Sequence, residues 1–291
     1  MNLRLFLIVL LSQFSMYLSA DAQRAEESDY LSKQFLHHLE SAKSNPEGLI
    51  NFIEINKEEI PQLITYLDKT LPKPDSLNYK LSMATNYIYL TSTQVGKYLA
   101  EKAYDMAVET KDTTNILFAS SALGTVTGEM GEFQEALGYF FRILELSNPE
   151  DQYDDYTSAL NEIGRLYTYL NDLENAEKYL MQEITLAKTR NDEYTENIGN
   201  LNLGVVYMEW GKWDSGLIYM EKSYQYGVKT QDTLIQYNSL GNLAGMYFEN
   251  NDVQKAIEFQ EKGLAFEQMF HDKVAMIDSY ANLAMFHDFL N

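Results

Sequence analysis

Leu160, Ile163, Gly164 and Tyr167 fall at i, i+3, i+4 and i+7, and Ala176, Tyr179, Leu180 and Ile184 continue that spacing after a short break. Spacing of this kind places apolar groups on one stripe of an amphipathic helix, so the segment predicts two consecutive helices. The same arrangement recurs with a period of 40: small residues stand at Ala84, Gly124, Gly164, Gly204, Ala244 and Ala284, and a second small series follows at Gly96, Ala136, Ala176, Gly216 and Ala256. Between the two series lie Gly131, Asn171, Gly211 and Asn251, the residue types that best tolerate a left-handed backbone just past a helix end. Asp112, Asp192, Asp232 and Asp272 recur on the same period at the far end of the unit, placed to cap the next helix. The predicted unit is helix, tight turn, helix, capped turn. Two helices with one apolar stripe each cannot bury it alone, so successive units must stack, with small residues where helices cross.

The strings Leu203-Gly204-x-x-Tyr207, Leu243-Ala244-x-x-Tyr247, Ile163-Gly164-x-x-Tyr167 and Ala136-x-x-x-Phe140 resemble the signature of tetratricopeptide repeats. The likeness covers residues 76–291. Its period is 40 where the family usually shows about 34, and the usual proline after the second helix is missing except at Pro149. The longer unit resembles the variant with lengthened helices common in bacterial signalling proteins. The expected fold is all-α, a right-handed α-solenoid of stacked helix-turn-helix repeats, with five full repeats and one half repeat.

Residues 23–75 do not follow the period. Glu26–Ala42, Pro46–Ile55 and Lys57–Leu71 read as three helices, and Pro72-Lys73-Pro74-Asp75 breaks the pattern before the array begins. This stretch is expected to be an N-terminal helical cap, since terminal units of solenoids are atypical. The first repeat is degenerate, with Thr91 at the turn position and Thr93 at the apolar one. Ahead of the cap, Arg4, the apolar run Leu5 to Leu11 and Leu18-Ser19-Ala20-Asp21-Ala22 have the order of a secretory signal peptide over residues 1–22, with cleavage before Gln23. The apolar stretch is short of the roughly 20 residues a membrane span needs. The mature chain is therefore expected to be exported, periplasmic or extracellular, with no membrane span.

Composition narrows the function. Lys plus Arg number 22 against 43 Asp plus Glu, giving a net charge of −21, which repels nucleic-acid backbones. The chain has no cysteine and only His37, His38, His271 and His287, which removes thiolate metal sites, disulfides and cysteine nucleophiles. No phosphate loop, metalloprotease helix, nucleophile elbow or calcium loop occurs. No enzyme activity, cofactor or metal is expected. Trp210 and Trp213 bracket the turn at Gly211 and are expected to pack there.

The resemblance implies that first helices line an inner, concave wall. With Gly164 as position eight of its repeat, positions 2, 6, 9 and 13 lie together opposite the buried stripe. Position six holds Asn202, Asn242 and Asn282, around which sit Ser158, Asn161, Arg165, Tyr169, Val205, Glu209, Gly245, Phe248 and Glu249. Asparagine offers a donor and an acceptor together, suited to the backbone of an extended peptide; the alternative is that these amides bond neighbouring helices or solvent. The expected function is a protein- or peptide-binding scaffold, as the extracytoplasmic sensing region of a bacterial signalling protein or as a self-contained periplasmic assembly or adaptor factor. Lys273 to Leu290 repeats a first helix with Ala275, Met276, Ile277, Met285, Phe286 and Phe289 upon it, which points to self-association or to a further domain beyond Asn291.

Overall fold

A computed structural model describes residues 30–42, 44–56, 58–70, 81, 85 and 92–290. The signal-peptide reading of residues 1–22, the proline break at 72–75 and all of the first helix of the first repeat but residues 81 and 85, with Ala84 and Thr91, lie outside the described residues, as does Asn291. Among the described residues no strand occurs. The chain divides into two compact units, Met1–Glu132 and Phe133–Asn291.

In the first unit, helix α1 spans residues 30–41, followed by α2 (Pro46–Ile55), α3 (Ile60–Thr70), α4 (Thr93–Thr110) and α5 (Thr113–Glu129). Pro46 stands in the first turn of α2, where its missing N–H costs nothing, and the Asn45 side chain accepts from the Gly48 N–H at 3.0 Å. His38 is held against Phe52, ring centroids 5.0 Å apart, and burial together with neighbouring His37 lowers its pKa. Helices α4 and α5 pack side by side, burying Leu99, Ala100 and Ala103 from one and Leu117, Leu123 and Val126 from the other.

The second unit comprises α6 (Phe133–Leu146), α7 (Tyr153–Tyr169), α8 (Leu173–Arg190), α9 (Glu193–Glu209), α10 (Trp213–Thr230), α11 (Thr233–Glu249), α12 (Val253–Phe270) and α13 (Lys273–Phe289). Each helix packs on the next, and α9 also touches α7 and α11, so first helices meet first helices across repeats. First helices begin at 113, 153, 193, 233 and 273, and second helices at 133, 173, 213 and 253. The structure therefore shows the 40-residue spacing directly.

The turns follow from residue chemistry. Gly131, Asn171, Gly211 and Asn251 all have φ between 58° and 79°. Past them, the N–H groups of Asp172, Lys212 and Asp252 reach back to the Tyr167, Tyr207 and Tyr247 carbonyls at 2.8–2.9 Å, closing the helix ends. Asp192, Asp232 and Asp272 cap α9, α11 and α13 through their carboxylates. Asp172 and Asp252 also cap second helices. Lys111, Asn191, Gln231 and His271 are left-handed as well, φ 55–60°, on the same 40-residue period; lysine, glutamine and histidine give no sequence sign of that conformation.

Small residues at the crossings are required by space. A methyl group at Gly164 would lie 2.5 Å from Leu180 Cγ, and one at Gly204 would lie 2.9 Å from Met220 Cε. The repeated tyrosines tie the two helices of a repeat together through their rings. Tyr167 stacks on Tyr179, Tyr207 on Tyr219 and Tyr247 on Phe259, with centroids 5.3–5.7 Å apart. Tyr207 and Tyr247 also donate to Glu177 and Glu221, so each of these two hydroxyls has a partner. Trp213 packs on the core of α11 and α12, and the Trp210 ring lies under Lys212.

Candidate functional site

The stripe expected to face the groove is mostly half-buried or exposed along the four first helices of the second unit; the opposite stripe is largely buried on α7, α9 and α11, whereas on α13 Tyr280, Ala284 and His287 of that stripe are exposed. Ser158, Tyr169, Glu209 and Glu249 are exposed; Arg165, Asn202, Val205, Asn242, Gly245 and Phe248 are partly covered. Their occupations differ. Val205 and Phe248 belong to packing against the hydrophobic core, and Phe248 stacks on Phe286 at 4.7 Å. Tyr169 stacks on Phe133 at 5.3 Å. Arg165 holds both oxygens of Glu162 at 2.9 Å. An added Cβ at Gly245 would meet nothing within 4 Å, so that position is open.

The three position-six asparagines each direct a donor to the protein. Asn202 Nδ2 donates to Asn161 Oδ1 in the preceding repeat at 3.2 Å. Asn242 Nδ2 donates to its own helix at Asn238 O, 3.1 Å, and Asn282 Nδ2 reaches Gln260 Oε1 at 3.4 Å. Among the described residues no hydrogen bond to the Oδ1 of any of the three occurs.

Asn161 is not part of an open ladder. It is 8% exposed, and its Nδ2 donates to Glu183 Oε1 at 3.1 Å and Oε2 at 2.8 Å. The chain of bonds runs from Asn202 on α9 through Asn161 on α7 to Glu183 on α8, a second helix. Glu183 is 2% exposed. Burial, reinforced by the carboxylates of Glu162 and Asp192 and opposed by the Asn161 bond, pushes its pKa up to about 8. Asn161, Glu183, Thr157, Ser158 and Glu162, with Tyr194, Thr195 and Ile198, line a cavity of about 150 Å³ between α7 and α9. A second buried network lies between α12 and α13: Gln260 Nε2 donates to Ser279 Oγ at 2.7 Å, and Ser279 Oγ to Glu267 Oε1 at 2.8 Å.

Sequence reasoning brought Ser158 and Asn161 to this place but passed over Glu183. The signal was present: Glu183 stands seven residues after Ala176 on the apolar stripe of α8, where the corresponding residues of other repeats are Ile143, Ser223 and Gly263. Among the described residues no group of histidines and carboxylates is arranged to hold a metal ion, and no helix is long and apolar enough to cross a membrane.

The tetratricopeptide repeat family matches residues 115–189, and solved structures with such repeats share the fold. Residues 115–189 carry tetratricopeptide repeats. RapI, in its apo form, superposes with a TM-score of 0.63 at 15% identity, over 88% of this chain and 74% of its own. A signal-transduction ATPase with numerous domains and a tetratricopeptide repeat sensor, from Pyrococcus horikoshii, gives 0.63 at 17% identity over 88% of this chain and 40% of its own. NprR, in complex with its cognate peptide NprX, gives 0.57 at 14% identity over 91% and 74%. Among curated relatives, outer dynein arm-docking complex subunit 4 of Mus musculus is 27% identical over 158 residues, 53% of this chain and 24% of that protein. The chloroplastic protein FLUORESCENT IN BLUE LIGHT of Arabidopsis thaliana is 29% identical over 108 residues, 37% of this chain and 34% of that protein. The matched part of the chain thus spans 24–34% of the length of these two curated relatives.

Proposed function

We propose that the second unit binds a protein or peptide segment in extended form along the first helices α7, α9, α11 and α13, without catalysis. The observation that carries this is the row of Asn202, Asn242 and Asn282, each with an uncommitted Oδ1 on the exposed stripe of a first helix. Acceptors repeated once per repeat suit backbone N–H groups, whose spacing does not depend on peptide sequence. NprR is described in complex with its cognate peptide, and the Pyrococcus horikoshii protein carries its repeats as a sensor; their likeness in fold supports bringing peptide binding and sensing to this chain. Together with the order of residues 1–22, this supports an extracytoplasmic sensing region of a signalling protein; a periplasmic assembly or adaptor factor is the second reading.

Panning a random peptide library on the purified mature chain tests the binding. Enriched peptides should bind the parent protein and bind Asn242→Ala several-fold more weakly, at an unchanged melting temperature, because Asn242 makes only a bond to its own helix. Absence of enrichment, or equal binding by the variant, would remove the basis for the groove. Mass spectrometry of the chain exported by a bacterial host should give an N-terminus at Gln23; an intact Met1 would overturn the export reading.

A further inference from the structure

We propose that the cavity between α7 and α9 is a socket for a lysine or arginine side chain of the bound segment, with its cationic head paired to the Glu183 carboxylate; the proposal rests on the peptide-binding reading above and names the chemistry it selects. The first support is charge accounting. Glu183 is almost wholly buried, and among the described residues no lysine, arginine or histidine lies within ion-pair distance of it. The cations on its two neighbouring helix faces are engaged, Arg165 with Glu162 at 2.9 Å and Lys188 with Glu196 at 3.7 Å. What faces Glu183 instead is negative or neutral: Glu162 from α7, Asp192 from the cap of α9, and the Asn161 amide. A buried carboxylate without a counter-charge is costly and takes up a proton or a cation.

The second support is the cavity itself. Its volume of about 150 Å³ corresponds to about five waters at roughly 30 Å³ each, enough for the terminal part of a long cationic side chain. Its lining offers both kinds of surface that such a side chain needs: Ile198 and Tyr194, against which an alkyl stem can lie, and the polar groups of Thr157, Ser158, Thr195, Asn161, Glu162 and Glu183. Room for the carboxylate is made by Gly199, where an added Cβ would lie 3.2 Å from Glu183 Oε2 and 2.7 Å from Ile184 Cγ1. The third support is that the repeat does not call for a carboxylate here, since its counterparts are Ile143, Ser223 and Gly263. Occupation would also reach the groove, because Asn161 links Glu183 to Asn202.

Two probes test the socket on the whole mature chain: butylammonium chloride, and blocked seven-residue peptides of serine and alanine carrying one central lysine, arginine, glutamine or glutamate. The lysine and arginine peptides should bind at least tenfold more tightly than the glutamine peptide at pH 8.5. Their affinity should fall as the pH is lowered through the Glu183 titration, approaching tenfold per unit, because the bound form needs the ionised carboxylate. Glu183→Gln should abolish both the preference and the pH dependence, while Glu174→Gln, an exposed control on the same helix, should keep them. Equal binding of all peptides, or a preference that survives Glu183→Gln, overturns the socket and leaves the groove standing. Butylammonium perturbing the Glu183 carboxyl carbon resonance while no peptide binds would leave a cation site and overturn the peptide reading. No response to either probe overturns both.

Discussion

Replacing Gly164 by alanine isolates the reason for small residues at the helix crossings. Alanine in a helix interior is favoured over glycine by about 0.5–1 kcal/mol, so in open space the change should stabilise. At Gly164 the new Cβ would fall 2.5 Å from Leu180 Cγ and 2.7 Å from its Cδ2, distances that force atoms to move. Leu180 is fully buried in a cluster with Leu173, Ala176, Ile184, Leu203 and Val206, so it has no solvent to retreat into, and overpacking of this kind costs about 1–3 kcal/mol. Gly138 in α6 is the matched control: it is exposed, helical, and an added Cβ meets nothing within 4 Å. Guanidinium unfolding followed by circular dichroism should show Gly138→Ala stabilised by about 0.5–1 kcal/mol and Gly164→Ala destabilised relative to it by about 1–3 kcal/mol. Since helix propensity enters both variants alike, the difference reports the crossing alone. If the two variants shift equally, helix contact at Gly164 does not limit side-chain size and the packing argument fails.

Three further outcomes are expected. Glu183 has a folded pKa raised above its unfolded value, so the native state holds a proton that the unfolded chain has lost, and stability must fall as pH rises from about 5 to 8 by up to a few kcal/mol; Glu183→Gln should flatten that slope, and an unchanged slope would show that Glu183 is not its source. Asp232 accepts from the Leu234 and Ile235 N–H groups at 3.0 Å each, so Asp232→Ala should cost about 1 kcal/mol, read as a lower denaturation midpoint, with no loss meaning that water replaces the cap. Far-ultraviolet circular dichroism should show a spectrum dominated by helix, and a substantial strand contribution would contradict the architecture.

How much of the fold was legible depended on whether a constraint repeats. Gly164 and Gly204 recur because a Cβ there strikes the partner helix, and Asn171 and Asn251 recur because the backbone is left-handed. A pattern enforced in every unit survives in a single sequence as a period. The second left-handed turn, which recurs at four of its five positions, did not announce itself, because Lys111, Gln231 and His271 adopt it at exposed positions. There the φ penalty of about 1–2 kcal/mol is met by the surrounding helix ends, and residue type carries no trace of it.

The site was legible only in its outline, for the opposite reason. A binding feature distinguishes one repeat from its neighbours, so aligning repeats averages it away. Helical geometry placed Ser158, Asn161 and Asn202 on one side of the first helices, but whether an amide there faces outward depends on what the second helix sends beneath it. Under Asn161 that is Glu183, reached across 22 positions of sequence, and it turns the amide inward; Asn242 instead bonds its own helix. The place to look in a repeat array is therefore where the stripe that should be apolar is interrupted by a charge. By that rule Glu183 and Glu267, both buried on second helices, mark two junctions of this chain at which repeats stop being interchangeable. Both carboxylates accept from a neighbouring polar side chain, Glu267 from the Ser279 hydroxyl and Glu183 from the Asn161 amide, but at Glu183 a cavity also opens onto the carboxylate from between two first helices, and the proposed selection of a cationic side chain falls at that junction.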